Sequence, residues 1–168
     1  GWVINDLKKM NYLNEMGKLD RRLCDKKKLL DRWIEGYIEQ LRPKLILGRY
    51  KANKNDWWKN VQLDKHQASW GGEIAAAKLT NYLQPEISTI YAETEPKKLL
   101  LMSKLKKDQN GNVEILKSFW NPSLNLREHN LVPVLLIYSD LIITGESRNI
   151  ETAKMIYEKE IVKLIRED

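Results

Sequence analysis

Cysteine, histidine and phenylalanine are nearly missing from this sequence: one Cys, two His and one Phe occur in 168 residues. Cys24 alone cannot form an internal disulfide, and no multi-cysteine zinc or iron–sulfur site can be assembled from it. No signal sequence opens the chain, so a cytoplasmic protein is expected. Long apolar runs are scarce as well. Leu131 to Tyr138 and Leu141 to Ile143 are interrupted by Ser139 and Asp140, far below the roughly 20 apolar residues that span a bilayer. Gly71 and Gly72 precede Glu73 rather than the Lys-Ser or Lys-Thr of a phosphate loop, and no G-x-G-x-x-G occurs. Nucleotide binding by a P-loop is thereby excluded. Neither His66 nor His129 stands in a nucleophile motif, so both read as surface residues, and Cys24 reads as a small half-buried side chain. No metal and no cofactor is expected.

What is present is a chain 42% hydrophobic and 31% charged, enough for one compact domain with or without an appended piece. Its formal charge of +6 is uneven. Residues 1–28 carry eight Lys or Arg against four Asp or Glu, whereas residues 113–168 carry seven against nine. A basic N-terminal end fits contact with a polyanion, although a solvated basic face has the same composition.

Val3, Ile4, Leu7 and Met10 form one face of a helix that lacks an N-cap in front of it, as if cut from a longer protein. Two short runs around Met16-Gly17-Lys18 follow, as in a small hairpin. Lys8 and Lys9 on the helix, with Lys18, Arg21 and Arg22 on the hairpin, are placed like the recognition helix and wing of a winged helix-turn-helix. From Asp25, taken as an N-cap, Leu29 to Leu41 form an apolar stripe that Pro43 closes off. Leu45 to Tyr50 reads as a buried strand, and 51–60 as a polar loop holding Trp57 and Trp58. Further expectations are a helix over 73–83, a strand over 87–92, a helix from Pro96 to about Met102, and a hairpin about Asn110-Gly111 between 105–108 and 113–119. Two helices finish the chain, one from near Pro133 to before Gly145 and one from Asn149 to about Ile165. The expected fold is α+β, a mixed sheet covered by helices and preceded by the remnant of a winged helix-turn-helix, with the division near residue 25: 1–24 and 25–168.

The enzyme alternative is a restriction-endonuclease-like metal-dependent nuclease using Glu73 and Glu114. That chemistry needs clustered carboxylates and a lysine, usually E-x-K on one strand. Here Glu114 and Lys117 stand three apart, so alternation sends them to opposite faces, and no Asp opens the preceding strand. Exposed charges on a solvated hairpin are the competing explanation. Trp57 and Trp58 suggest a partner surface, since amphipathic aromatics favour interfaces, against simple loop packing. Lys51, Lys54, Lys59 and Lys65 around them also allow stacking on nucleic acid.

Taken together, 29–50 (LLDRWIEGYIEQLRPKLILGRY), 70–86 (WGGEIAAAKLTNYLQPE), 110–120 (NGNVEILKSFW) and 132–158 (VPVLLIYSDLIITGESRNIETAKMIYE) resemble the AbiEi antitoxin family of type IV toxin–antitoxin systems. The resemblance covers nearly the whole chain. It implies a winged helix-turn-helix that binds operator DNA, joined to an antitoxin domain. It also implies a non-enzymatic, autoregulatory repressor in phage defence by abortive infection, which counters a nucleotidyltransferase-like toxin without a stable complex. Lys8 and Lys9 would then lie in the recognition helix and Lys18, Arg21 and Arg22 in the wing, while Arg49, Lys51 and Lys54 are candidates for a second DNA-facing surface. This chain departs from the family by lacking the first helices of the winged helix.

Overall fold

The computed structural model describes residues 2–15, 21–120 and 130–166. Lys18 and His129 therefore lie outside the described residues. Helix α1 (Trp2–Lys9) leads into an antiparallel ribbon of β1 (Leu13–Glu15) and β2 (Arg21–Leu23), with Leu13 opposite Leu23 and Asn14 opposite Arg22. Tyr12 ties helix to ribbon. Its buried ring sits at the joint, its N–H donates to the Leu7 carbonyl at 2.8 Å, and its carbonyl accepts the Cys24 N–H at 2.9 Å.

Helix α2 (Lys26–Gly36) departs from expectation at both ends. Asp25 has a left-handed φ of 49° and makes no capping bond. Nor does Pro43 stop the helix: the chain passes through a π-helical turn (Tyr37–Leu41) into α3 (Arg42–Leu45). Proline lacks an N–H, and its ring collides with the carbonyl four residues back in a regular helix. In the π turn the Arg42 N–H reaches back five residues to the Tyr37 carbonyl, and this wider loop admits Pro43 without breaking the axis. It also leaves both Tyr37 and Arg42 buried.

Among the described residues, five strands form the main sheet: β3 (Ile46–Lys51), β4 (Ala68–Gly71), β5 (Ser88–Ala92), β6 (Lys106–Lys107) and β7 (Val113–Lys117). Their order is β4-β5-β7-β3-β6, with β5 and β7 parallel and the other pairs antiparallel. The sheet is mixed and the fold is α+β, as the sequence suggested. Strand β4 was not anticipated. Strand β3 is less buried than expected, with Ile46 and Leu47 each 37% exposed, because only the two-residue β6 lies beyond it.

The Asn110-Gly111 turn does not close a hairpin, since β3 lies between β6 and β7. The turn itself is tight: the Gly111 N–H donates to the Asp108 carbonyl at 3.1 Å and the Asn110 N–H to Asp108 Oδ1 at 2.9 Å. A Cβ at Gly111 would stand 2.0 Å from the Tyr50 carbonyl oxygen. Asn-Gly signals a tight reversal of the chain; whether a third strand enters between the two arms depends on distant segments.

Helices α4 (Gly72–Thr80), α6 (Val134–Ile142) and α7 (Ser147–Ile156) pack on one another, with the Ala75 and Ala76 side chains fully buried where α4 meets its neighbours. The last helix continues through a π turn (Tyr157–Ile161) into α8 (Val162–Ile165), and α5 (Lys97–Met102) precedes β6. Strand alternation and register put Gly71, Thr89, Tyr91, Glu114 and Arg49 on one face of the sheet. Trp70, Ile90 and Ile115 take the other.

Candidate functional site

The cations proposed for the N-terminal unit are placed by α1 and the ribbon. Lys8 and Lys9 occupy the last turn of α1, Lys8 half-buried and Lys9 exposed, and Arg21 and Arg22 are exposed on β2. Alternation sends Arg21 and Arg22 to opposite faces of the ribbon. Among the described residues, none of 2–24 contributes to the main hydrophobic core.

The second cationic group lies at the β3 edge of the sheet. Lys51 stands directly opposite Lys106 in the β3–β6 register, and both are exposed, as are Lys54 and Lys107. Two like charges side by side across a ladder repel, which an anion at that edge would relieve. Arg49 differs from its neighbours: its Nη2 is held 2.6 Å from Glu114 Oε1, with about half its side chain still open to solvent.

Sequence reasoning missed the residues that converge most closely. Arg42, on α3, places Nε 2.8 Å from Asp140 Oδ1 and Nη2 2.6 Å from Glu114 Oε2. Asp140, on α6, also accepts the Gly72 N–H at 3.2 Å and the Tyr91 hydroxyl at 3.0 Å, while the Tyr37 and Tyr91 hydroxyls meet at 2.5 Å. Two cations, Arg42 and Arg49, balance two carboxylates, and every lone pair is used, as a buried charged group requires. Complete burial raises the Asp140 carboxyl above the usual carboxylate range, against the opposing pull of Arg42, Tyr91 and Tyr37. Burial and the Asp140 charge hold both phenols above their ordinary value. Burial lowers the Arg42 guanidinium, but Asp140 and Glu114 outweigh it, and the net direction is upward. One signal was present in the sequence: Ser139-Asp140 interrupts the most apolar run of the chain, and a charge at such a place needs a buried partner.

Gly71 and Gly72 make this convergence possible. A Cβ on Gly71 would stand 2.5 Å from the Tyr91 ring and 3.0 Å from Asp140 Oδ2, and one on Gly72, where φ is +48°, would stand 2.6 Å from Thr89 Oγ1. The Gly-Gly pair serves close approach, not a phosphate.

The two carboxylates of the nuclease alternative both serve structure. Glu114 is gripped by Arg42 and Arg49. Glu73 Oε2 accepts the Glu86 N–H at 2.7 Å and the Ile87 N–H at 3.3 Å, and its two oxygens also receive Arg148 and Asn149. Glu73 thus pins the segment before β5 to α4 and α7. Lys117 is exposed while Glu114 is buried, on the opposite faces that their spacing required. Among the described residues, no group of three His, Cys, Asp or Glu side chains is placed to hold a metal ion, and no helix is long and apolar enough to cross a membrane.

Trp57 and Trp58 divide their duties. Trp57 turns inward, donating its indole N–H to Ser88 Oγ at 3.2 Å and meeting Trp70 edge-on at 5.9 Å between centroids. Trp58 stays half-buried, with Lys78 and Lys59 ammonium groups 5.6 and 6.0 Å from its ring centroid.

Comparison with known proteins finds a match over residues 22–162 to the family described as transcriptional regulator, AbiEi antitoxin, type IV TA system. The matched span begins at Arg22, after α1 and β1, and includes β3, the Gly-Gly junction, β7 and α6. No curated protein and no solved structure matches the chain. On the strength of that match, covering most of its length, the chain belongs to the AbiEi antitoxin family of type IV toxin–antitoxin systems.

Proposed function

We propose that this chain is the antitoxin and autoregulatory repressor of a type IV toxin–antitoxin pair, acting in the cytoplasm as a non-enzymatic protein. The family match over residues 22–162 carries this reading. The toxin it counters is nucleotidyltransferase-like, and the two act without a stable complex. Residues 25–168 are the antitoxin domain. Residues 1–24 are the end of a winged helix-turn-helix, a division supported by the absence of 2–24 from the main core among the described residues.

Operator DNA is met by Lys8 and Lys9 on α1 and by Lys18, Arg21 and Arg22 in the wing, mainly through backbone phosphates. Arg49, Lys51 and Lys54 form a second phosphate-facing surface on the antitoxin domain, supported by the unrelieved Lys51–Lys106 pair. The Trp57–Trp58 turn is a partner surface, of which Trp58 is the accessible member. The nuclease alternative stands behind this reading because Glu73 and Glu114 are engaged by cations and amides of the protein itself.

Co-expression with the adjacent toxin gene tests the proposal through cell growth. Rescue by the full-length protein and by residues 25–168 alone is the expected result and places antitoxin action in the second unit. Failure of both to restore growth overturns it.

A further inference from the structure

The widest groove among the described residues, about 640 Å³, runs between the Trp58 turn and the C-terminal end of α4. Its volume lies within the ~300–1,000 Å³ of small-ligand sites. Trp58 forms one wall, with Lys59 and Lys78 beside the indole, and the amides of Asn55, Asn81 and Gln84 line the rest. Among the described residues those three side-chain amides make no hydrogen bond, and the Trp58 indole N–H has no acceptor. An aromatic face suits a planar ring, two ammonium groups suit a phosphate, and free amides suit the donors and acceptors of a base edge.

We propose that the Trp58 groove binds a nucleobase with its phosphate, either as a free nucleotide or as one unit of a single-stranded nucleic acid. The base stacks on Trp58, and Lys59 and Lys78 swing from the indole to the phosphate. Both lysines are exposed and neither forms an ion pair within the described residues, so their cation–π contacts, at the outer limit of about 6 Å, are readily exchanged for a full anionic charge. This deepens the reading of Trp58 as a contact residue and rests on it. It is separate from the wing, where rigid duplex DNA is met through its backbone.

The test is fluorescence anisotropy of this chain with two probes, a labelled oligouridylate of eight nucleotides and a fluorescent ATP analogue, each over a range of salt. Binding of the ATP analogue identifies a nucleotide site; binding of the oligomer alone identifies single-stranded nucleic acid. In either case Trp58→Ala weakens binding by about tenfold or more, as loss of one stacked base does, while Trp58→Phe keeps most of it. Lys59→Ala with Lys78→Ala lowers affinity and reduces the salt slope by about 1.4 for a single strand. That surface pair carries the test if Trp58→Ala disturbs folding, which circular dichroism reports. Binding of neither probe, or binding indifferent to Trp58 and to the lysine pair, overturns the proposal. Trp58→Ala assayed in the growth rescue separates the two readings. Lost rescue without nucleotide binding keeps the contact surface and removes the nucleotide, whereas unaltered rescue and no nucleotide binding remove both.

Discussion

Arg42 and Asp140 lie 98 residues apart in sequence and meet with Nε 2.8 Å from Oδ1, both buried. This pair joins the long helix that follows the basic N-terminal unit to the most apolar helix of the second. It is also the point at which the π turn, the Gly-Gly junction and Glu114 on β7 converge. The whole matched family span is organised around a charge that no local pattern in the sequence explains.

Replacing Asp140 by Ala leaves the Arg42 guanidinium buried with one partner fewer. The expected cost is about 3–5 kcal/mol in chemical unfolding. Replacing Arg42 and Asp140 together, by Met and Leu, should cost less than Asp140→Ala alone, because no uncompensated charge is left inside. A single variant within about 1 kcal/mol of the natural protein would show that the pair is not what holds α3 to α6.

Gly72→Ala combines a left-handed φ of +48° with a Cβ 2.6 Å from Thr89 Oγ1. The backbone alone costs about 1–2 kcal/mol, and the clash adds to it. Thr89→Ala in the Gly72→Ala background should recover the steric part and leave the backbone part. Thermal unfolding of the three variants measures both.

Stability should fall at alkaline pH through the buried phenols. Tyr50 is pushed up to about 12 by burial and by its hydrogen bond to Glu95, and Tyr37 and Tyr91 are raised as well. In the unfolded chain these phenols ionise at their ordinary 10.0. Between that value and the folded one the native protein holds more protons, so the stabilisation is complete below pH 10 and is lost as pH rises through about 12 for Tyr50. Phenolate absorbance should accordingly show some of the seven tyrosines titrating late in the native protein. Uniform titration near 10 would contradict the burial of these hydroxyls.

Replacing Lys18, Arg21 and Arg22 by Ala in the full-length protein should weaken operator binding by more than about tenfold and reduce the salt slope by roughly 2.7, the loss of three phosphate contacts. Filter binding or gel shift at several salt concentrations measures it. Unchanged binding would sink the wing assignment.

Much of this architecture was legible in local sequence. Apolar periodicity placed α1, α4, α6 and α7, turn chemistry placed the small ribbon, and the clustering of Lys and Arg marked the basic end. The nuclease spacing failed on alternation along one strand, which needs only three residues to judge. Motif order along the chain was enough to suggest the family. These signals survive because helix faces, strand alternation and charge density are set by residues a few positions apart.

Everything that depends on distant segments meeting was decided by the tertiary structure. The Asn110-Gly111 reversal was foreseeable, but β3 entering between its arms was not. Neither Pro43 nor Asp140 carried its role in its neighbours: one is accommodated by a π turn, the other is held by an arginine 98 residues away. Trp57 and Trp58, adjacent and alike in sequence, part because only Trp57 finds a buried acceptor, Ser88, and a ring, Trp70, across the sheet. Sequence by itself determined the local elements and the charge of each part, since both follow from near neighbours. Packing decided which polar groups face each other inside, since burial makes every unpaired donor or charge costly and only the folded chain brings the partners together.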